Sequence, residues 1–142
     1  MTNEREAVND PRAVAFDGAD APVSVFLAPD VVRIDPDVPL RDLADRLVAA
    51  EVGALVVGRD GAVDGIVSER DVVRAFAERG DAPDVTAGDL ASRRLVWCSP
   101  DATVGEVAAA MMEHYVRHVL IGDPGDLRGI VSARDLLGAL LD

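Results

Sequence analysis

Hydrophobic positions along the chain switch between two periods, and the switch occurs twice. Val31–Ile34 is a short, mostly β-branched run stopped by Asp35-Pro36, which predicts a strand. Leu40, Leu43, Ala44, Leu47 and Val48 then recur three and four residues apart, the spacing of a helix with one apolar face. A second strand is expected over Ala54–Gly58 and a third over Val63–Val67, joined by Asp60-Gly61, a pair suited to the left-handed backbone of a tight hairpin turn. A closing helix is expected from Glu69 to about Arg79, ending before Gly80. The pattern then restarts: Leu95–Cys98, a helix carrying Val104, Val107, Ala108, Met111 and Met112, strands around His118–Ile121 and Leu127–Val131, and a last helix through Leu141.

The restart is a true internal repeat. At an offset of 64 positions Pro36-Asp37 falls on Pro100-Asp101, and Gly58, Gly61 and Gly65 fall on Gly122, Gly125 and Gly129 without a gap. The same offset lays Gly65-Ile66-Val67-Ser68-Glu69-Arg70-Asp71 on Gly129-Ile130-Val131-Ser132-Ala133-Arg134-Asp135, with a single mismatch. Each copy reads β-α-β-β-α, preceded by a short lead segment around Val23–Leu27 and again around Ala87–Ala91. The expected class is α+β: two such repeats packed sheet to sheet as one pseudo-twofold globule, because one copy buries too little surface to stand alone. The expected boundaries are a disordered acidic tail over residues 1–21, a first repeat over 22–79, a linker over 80–85 with a hinge at Gly80, and a second repeat over 86–142.

Composition narrows the function. A formal charge of −12 opposes attraction to nucleic acid or to an anionic membrane, since both require a basic face. No apolar run of membrane-spanning length occurs, and the opening residues alternate charges where a secretory leader would be basic and then apolar, so a cytoplasmic protein is expected. The single cysteine, Cys98, has no second thiol and reads as a small core hydrophobe. All 14 basic residues are arginine, which fits a high-GC genome or a salt-rich cytoplasm equally well.

The paired runs Gly-Ile-Val-Ser-x-Arg-Asp, the strands ending at Pro36 and Pro100, and the segments Val52–Val57 and Val116–Ile121 together resemble tandem cystathionine-β-synthase (CBS) repeats, the Bateman module. The resemblance covers everything after about residue 22. It implies a regulatory module that binds an adenosine-containing ligand (AMP, ADP, ATP, S-adenosylmethionine or NAD(H)) in clefts between the repeats. It also implies a homodimer that signals to an unidentified effector protein, with no obligatory cofactor.

Ser68-x-x-Asp71 and Ser132-x-x-Asp135 stand where a strand turns into a helix, so the amides of the helix start are available to phosphate or ribose oxygens. A carboxylate can accept from both hydroxyls of a ribose diol. The same pattern is also a helix capping box, which needs no ligand. By the resemblance, Asp71 and Asp135 carry ribose, and Arg70 and Arg134 stand beside them with the fork geometry that suits phosphate; solvated ion pairs are their alternative role. The strand heads differ between copies: Gly53-Ala54 in the first, Arg117-His118 in the second. The family joins the Ser-x-x-Asp motif of one copy to the strand head of the other. One site would then combine Ser132, Arg134 and Asp135 with Gly53 and Ala54, and a more cationic one Ser68, Arg70 and Asp71 with Arg117 and His118. The chain departs from the family at Leu120, where proline is frequent.

No enzymatic role is expected. The chain has no lysine for a phosphate-cradling loop, and its two histidines, His114 and His118, straddle a helix end and so make a poor metal pair. The competing function is a ligand-free dimerisation or docking module acting through helix faces, with Met111, Met112, Tyr115 and Phe76 as contacts, although each of these also suits a core.

Overall fold

The computed structural model describes residues 18–27 and 31–141; residues 1–17 of the expected tail lie outside them. The chain divides into two compact units. The first is continuous, residues 30–95, whereas the second joins residues 96–142 to the segment that precedes residue 30.

In the first unit β1 (Arg33–Ile34) runs parallel to β2 (Ala54–Val57), with Arg33 opposite Val56. Parallel neighbours require a crossover, and helix α1 (Leu40–Ala50) supplies it. β2 then pairs antiparallel with β3 (Gly65–Ser68), placing Ala54 opposite Ser68, and α2 (Glu69–Arg79) follows without a gap. Leu40, Leu43 and Leu47 of α1 pack with Leu55, Val57 and Val67 of the sheet and with Val72 and Ala75 of α2. A single helical turn, α3 (Ala87–Leu90), completes this unit.

The second unit repeats the arrangement in the same register. β4 (Trp97–Cys98) is parallel to β5 (His118–Asp123), crossed over by α4 (Val104–His114), and β5 is antiparallel to β6 (Asp126–Ser132), which leads into α5 (Ala133–Leu141). His118 lies opposite Ser132 just as Ala54 lies opposite Ser68. Each sheet is buried on both faces: Leu55 and Val57 face the core, yet Ala54, Val56, Ile66 and Leu120 are buried as well. The fold is therefore α+β with two three-stranded sheets, as the sequence pattern predicts. Among the described residues no helix is long and apolar enough to cross a membrane.

Two details differ from expectation. β3 begins at Gly65, two residues later than the apolar pattern suggests. Asp60 and Gly61 both take positive φ (53° and 83°), and the tight return that follows brings the Asp64 amide onto the Val57 carbonyl at 2.8 Å, so ladder pairing resumes only afterwards. The second difference concerns the leads. The turn Val23–Phe26 does not pack in the unit formed by the repeat it introduces. Its Val23 is fully buried in the second core beside Val104 and Val107, and its amide donates to the Ala102 carbonyl at 2.8 Å. Conversely Val85 and Ala87, which introduce the second repeat, are buried in the first core, and the Ala87 amide donates to Val38 at 2.8 Å. Each body is thus completed by the lead of the other copy.

This exchange explains a glycine in each repeat. A Cβ at Gly65 would lie 2.8 Å from Ala91 Cβ and 2.9 Å from the Ser92 carbonyl oxygen, while one at Gly129 would lie 2.9 Å from a Leu27 methyl. The lead passes directly over the strand in both places, and at Gly65 the contact involves backbone, since Ser92 and Ile66 exchange backbone hydrogen bonds at 2.9 and 3.0 Å. Gly65→Ala is therefore expected to cost about 1–3 kcal/mol. Equilibrium denaturation of the variant checks this, and an unchanged stability would contradict the backbone contact at Gly65.

Candidate functional site

Both Ser-x-x-Asp motifs sit at a strand-to-helix junction held by reciprocal hydrogen bonds. At the first, the Ser68 amide donates to Asp71 Oδ2 at 2.8 Å, the Asp71 amide donates back to Ser68 Oγ at 3.2 Å, and the hydroxyl donates to the same carboxylate oxygen at 2.9 Å. At the second, the Ser132 amide donates to Asp135 Oδ2 at 2.9 Å and the Asp135 amide to Ser132 Oγ at 3.0 Å. Both are capping boxes, so the motif has a structural role without any ligand. In each, one carboxylate oxygen is committed to the box. Among the described residues the other oxygen has no hydrogen-bond partner, and the box leaves its two acceptor lone pairs unused.

The helix starts offer less to an anion than their sequence suggests. The Glu69 amide donates to the Gly53 carbonyl and the Ala133 amide to the Arg117 carbonyl, both at 2.9 Å. With the Asp71 and Asp135 amides also engaged, two of the three leading N–H groups at each junction are already satisfied. Attraction for phosphate falls instead to guanidinium groups. Arg70, Arg117 and Arg134 are all exposed, and among the described residues none of them forms an ion pair. The arginines that do pair lie elsewhere: Arg41 with Asp81, Arg59 with Asp35 and Asp37, and Arg128 with Asp126.

Within one unit, the candidate residues come together through the strand register. Gly53 and Ala54 lie at the head of β2 beside Ser68, and Arg117 and His118 at the head of β5 beside Ser132. His118 is half-buried; Arg117 is exposed. The two strand heads differ in charge by more than the pair Gly53-Ala54 against Arg117-His118. A Cβ on Gly53 would lie 3.7 Å from a Glu69 carboxylate oxygen, so an acid stands over the first strand head. Ala133 occupies the matching position in the second copy. Glu69 is the residue that reading the repeat passed over, although the one mismatch in the seven-residue run was its signal.

Asp71 also lines a groove between α2 and α3, of about 230 Å³, with Arg74, Glu78, Val85, Asp89 and Leu90. Small-molecule sites usually offer roughly 300–1,000 Å³. This groove alone is too small for a nucleotide.

Other candidates resolve as follows. Leu120 stands in a regular strand: its amide donates to the Val96 carbonyl at 2.8 Å and closes the β4–β5 ladder, a bond that proline could not make. Cys98 is half-buried against the second core, and burial, with a smaller contribution from Glu106, raises its thiol pKa and keeps it protonated. Met111 is a core residue and Phe76 packs against the first core, whereas Met112 and Tyr115 are 77% and 86% exposed. His114 ends α4 near Glu113, and among the described residues no cluster of three or more His, Cys, Asp or Glu side chains is placed to hold a metal.

Two α+β units in one register, each with a capped Ser-x-x-Asp junction and each completed by the other copy's lead, define a tandem CBS pair. The model of the CBS domain matches residues 23–78 and again 87–142, and the chain belongs to the CBS-domain family. The matched repeats begin with the leads, so each contributes its first turn to the compact unit of the other. Among proteins of this family the chain is 26% identical over 106 residues to a CBS domain-containing protein of Bacillus subtilis, covering 75% of this chain and 76% of that one. It is 31% identical over 121 residues to the gamma-3 subunit of the 5′-AMP-activated protein kinase of Bos taurus, covering 79% of this chain and 24% of the subunit. A solved CBS-domain containing protein from Agrobacterium tumefaciens superposes with a TM-score of 0.73 at 34% identity, over 82% of this chain and 96% of that one. The CBS domain pair of the protein MJ0100, solved with 5′-methylthioadenosine and S-adenosylmethionine, shares the fold at a TM-score of 0.71 and 20% identity, over 82% and 92% of the two chains.

Proposed function

We propose that this CBS pair is a regulatory module that binds an adenosine-containing ligand and passes its occupancy to a partner protein, with no catalytic chemistry of its own. The observation that carries the reading is the half-committed carboxylate at each junction: Asp71 and Asp135 are held rigidly through one oxygen while the other stays available to a ribose diol. Exposed, unpaired Arg70 and Arg134 stand next to them. The adenosyl ligands of the MJ0100 pair and the AMP response named for the kinase subunit support the ligand class.

In this proposal each site is completed across the pair. Asp71, Ser68 and Arg70 work with Arg117 and His118, and that cationic site suits a phosphorylated nucleotide. Asp135, Ser132 and Arg134 work with Gly53 and Ala54, where the Glu69 carboxylate disfavours phosphate and fits a ligand such as S-adenosylmethionine that carries positive charge. A ligand that bridges the two repeats and fits one arrangement better than another shifts the population toward it, and that shift is the signal.

Millimolar AMP, ADP, ATP, S-adenosylmethionine and NADH, added one at a time to the thermally unfolding protein at low and high salt, test the proposal. A ligand at about 100 times its dissociation constant adds roughly 2.7 kcal/mol, several degrees in Tm for a chain of this size. Asp71→Asn or Asp135→Asn keeps an oxygen for the capping box but removes the carboxylate, and is expected to abolish the shift while leaving the unliganded Tm within a few degrees. No shift with any of the five at either salt would reject the ligand reading.

Self-association has separate support. Val48 and Met112, each 77% exposed, occupy the same repeat position on α1 and α4, and Val73 and Leu137, 67% and 60% exposed, do so on α2 and α5. A twofold contact repeats one patch on both partners, and we propose a homodimer formed through these faces. Sedimentation should show a dimer that Met112→Glu with Val48→Glu converts to monomer; an unchanged mass would place any contact elsewhere.

A further inference from the structure

We propose that the second unit carries a site for a small organic cation, a quaternary ammonium or guanidinium group, in a groove of about 340 Å³ at the hairpin end of its sheet. Trp97 and Ser99 line the groove from β4 and the loop after it, and Gly122, Asp123, Asp126 and Arg128 line it from the β5–β6 hairpin. Its volume reaches the range of small-molecule sites, roughly 300–1,000 Å³.

The lining sets the ligand's charge. Cys98 packs against the second core, so its neighbour Trp97 projects from the opposite face of the sheet. An indole offers a cation the best of the aromatic faces. Asp123 supplies the countercharge: one of its oxygens accepts the Gly125 amide at 3.0 Å, and among the described residues the other has no hydrogen-bond partner. Arg128 does not oppose a cation, because Asp126 neutralises it through Nε at 2.8 Å. The groove therefore holds one carboxylate in excess beside an aromatic ring, in a chain whose formal charge is −12.

The first unit treats the same positions differently. At the 64-residue offset Arg33 stands for Trp97 and Arg59 for Asp123. Arg59 pairs with Asp35 and Asp37, and Arg33 donates to the Gly61 carbonyl at 3.4 Å. Guanidinium groups thus occupy that sheet end in one copy, where the other has an indole and a carboxylate. Asp126 and Ser132 stand at opposite ends of β6, about 20 Å of strand apart, so the inference does not rest on the adenosyl reading.

Trp97 is the single tryptophan of the chain, so its fluorescence reports on the groove directly. The test titrates the full chain with tetramethylammonium and with N-acetylarginine amide, against sodium chloride at equal ionic strength. A saturable change in emission is expected with one or both, and the tighter probe tells whether a free ammonium or an arginine side chain is the preferred source of the cation. Asp123→Arg, which installs the residue of the first copy at an exposed position, should weaken the response on the order of tenfold or more. Asp123→Asn, which removes only the charge, should weaken it severalfold. No change with either probe, a change that never saturates or that sodium chloride reproduces, or an unaltered response in both variants would overturn the proposal.

Discussion

The exchange of lead segments is the constraint on which the rest of the structure depends. In each unit the first long helix begins at a backbone pair with a lead: the Leu40 amide on Val85 in one, the Val104 amide on Ala21 in the other. The same leads fill the end of each core with a fully buried side chain, Ala87 or Val23. A repeat cut out at its sequence boundaries would carry its own lead, which belongs elsewhere, and lack the one it needs. The pair is therefore the smallest unit that satisfies both cores. This gives a physical reason for the fold to occur as a tandem, beyond the general shortage of buried surface in a domain of half this size.

The junctions that end β3 and β6 inherit their rigidity from that packing. Gly65 and Gly129 are pressed under a lead, and the strand carries this constraint three residues on to Ser68 and Ser132. Each serine then fixes an aspartate by a capping box, which leaves one carboxylate oxygen uncommitted beside an exposed arginine. Two nearly superimposable junctions could have been chemically identical. They are not, because the strand heads carry Gly53 under Glu69 in one unit and Arg117 next to Ala133 in the other. The acid and the cation are paired differences, and they give the two strand heads opposite charge.

Much of this was legible in the sequence because it is local. The helix Glu69–Arg79, its capping box and its stop at Gly80 follow from residues within one turn of each other. The shared register of the two sheets follows from a gapless repeat. The lead exchange was not legible: periodicity marks Val23 as apolar but cannot say which of two similar cores it enters. The left-handed helix ends at Glu51 and Tyr115, φ 55° and 56°, were also invisible, since neither residue is the glycine or asparagine that usually signals such a cap. The chemical content of the site was read in part. Ser68, Asp71, Ser132 and Asp135 stand as their motif requires, whereas Glu69 acts through a spatial neighbour, Gly53, that only the fold brings close.

The most direct test of the central claim, a pair of capped junctions that receive an adenosyl ligand, is a residue-resolved NMR titration of the isotopically labelled protein with AMP and, separately, with S-adenosylmethionine. The account predicts saturable amide shifts centred on Ser68–Asp71 and Arg117-His118 with AMP, and on Ser132–Asp135 and Gly53-Ala54 with S-adenosylmethionine. Saturable shifts confined to other surfaces, or none with either ligand, would contradict it.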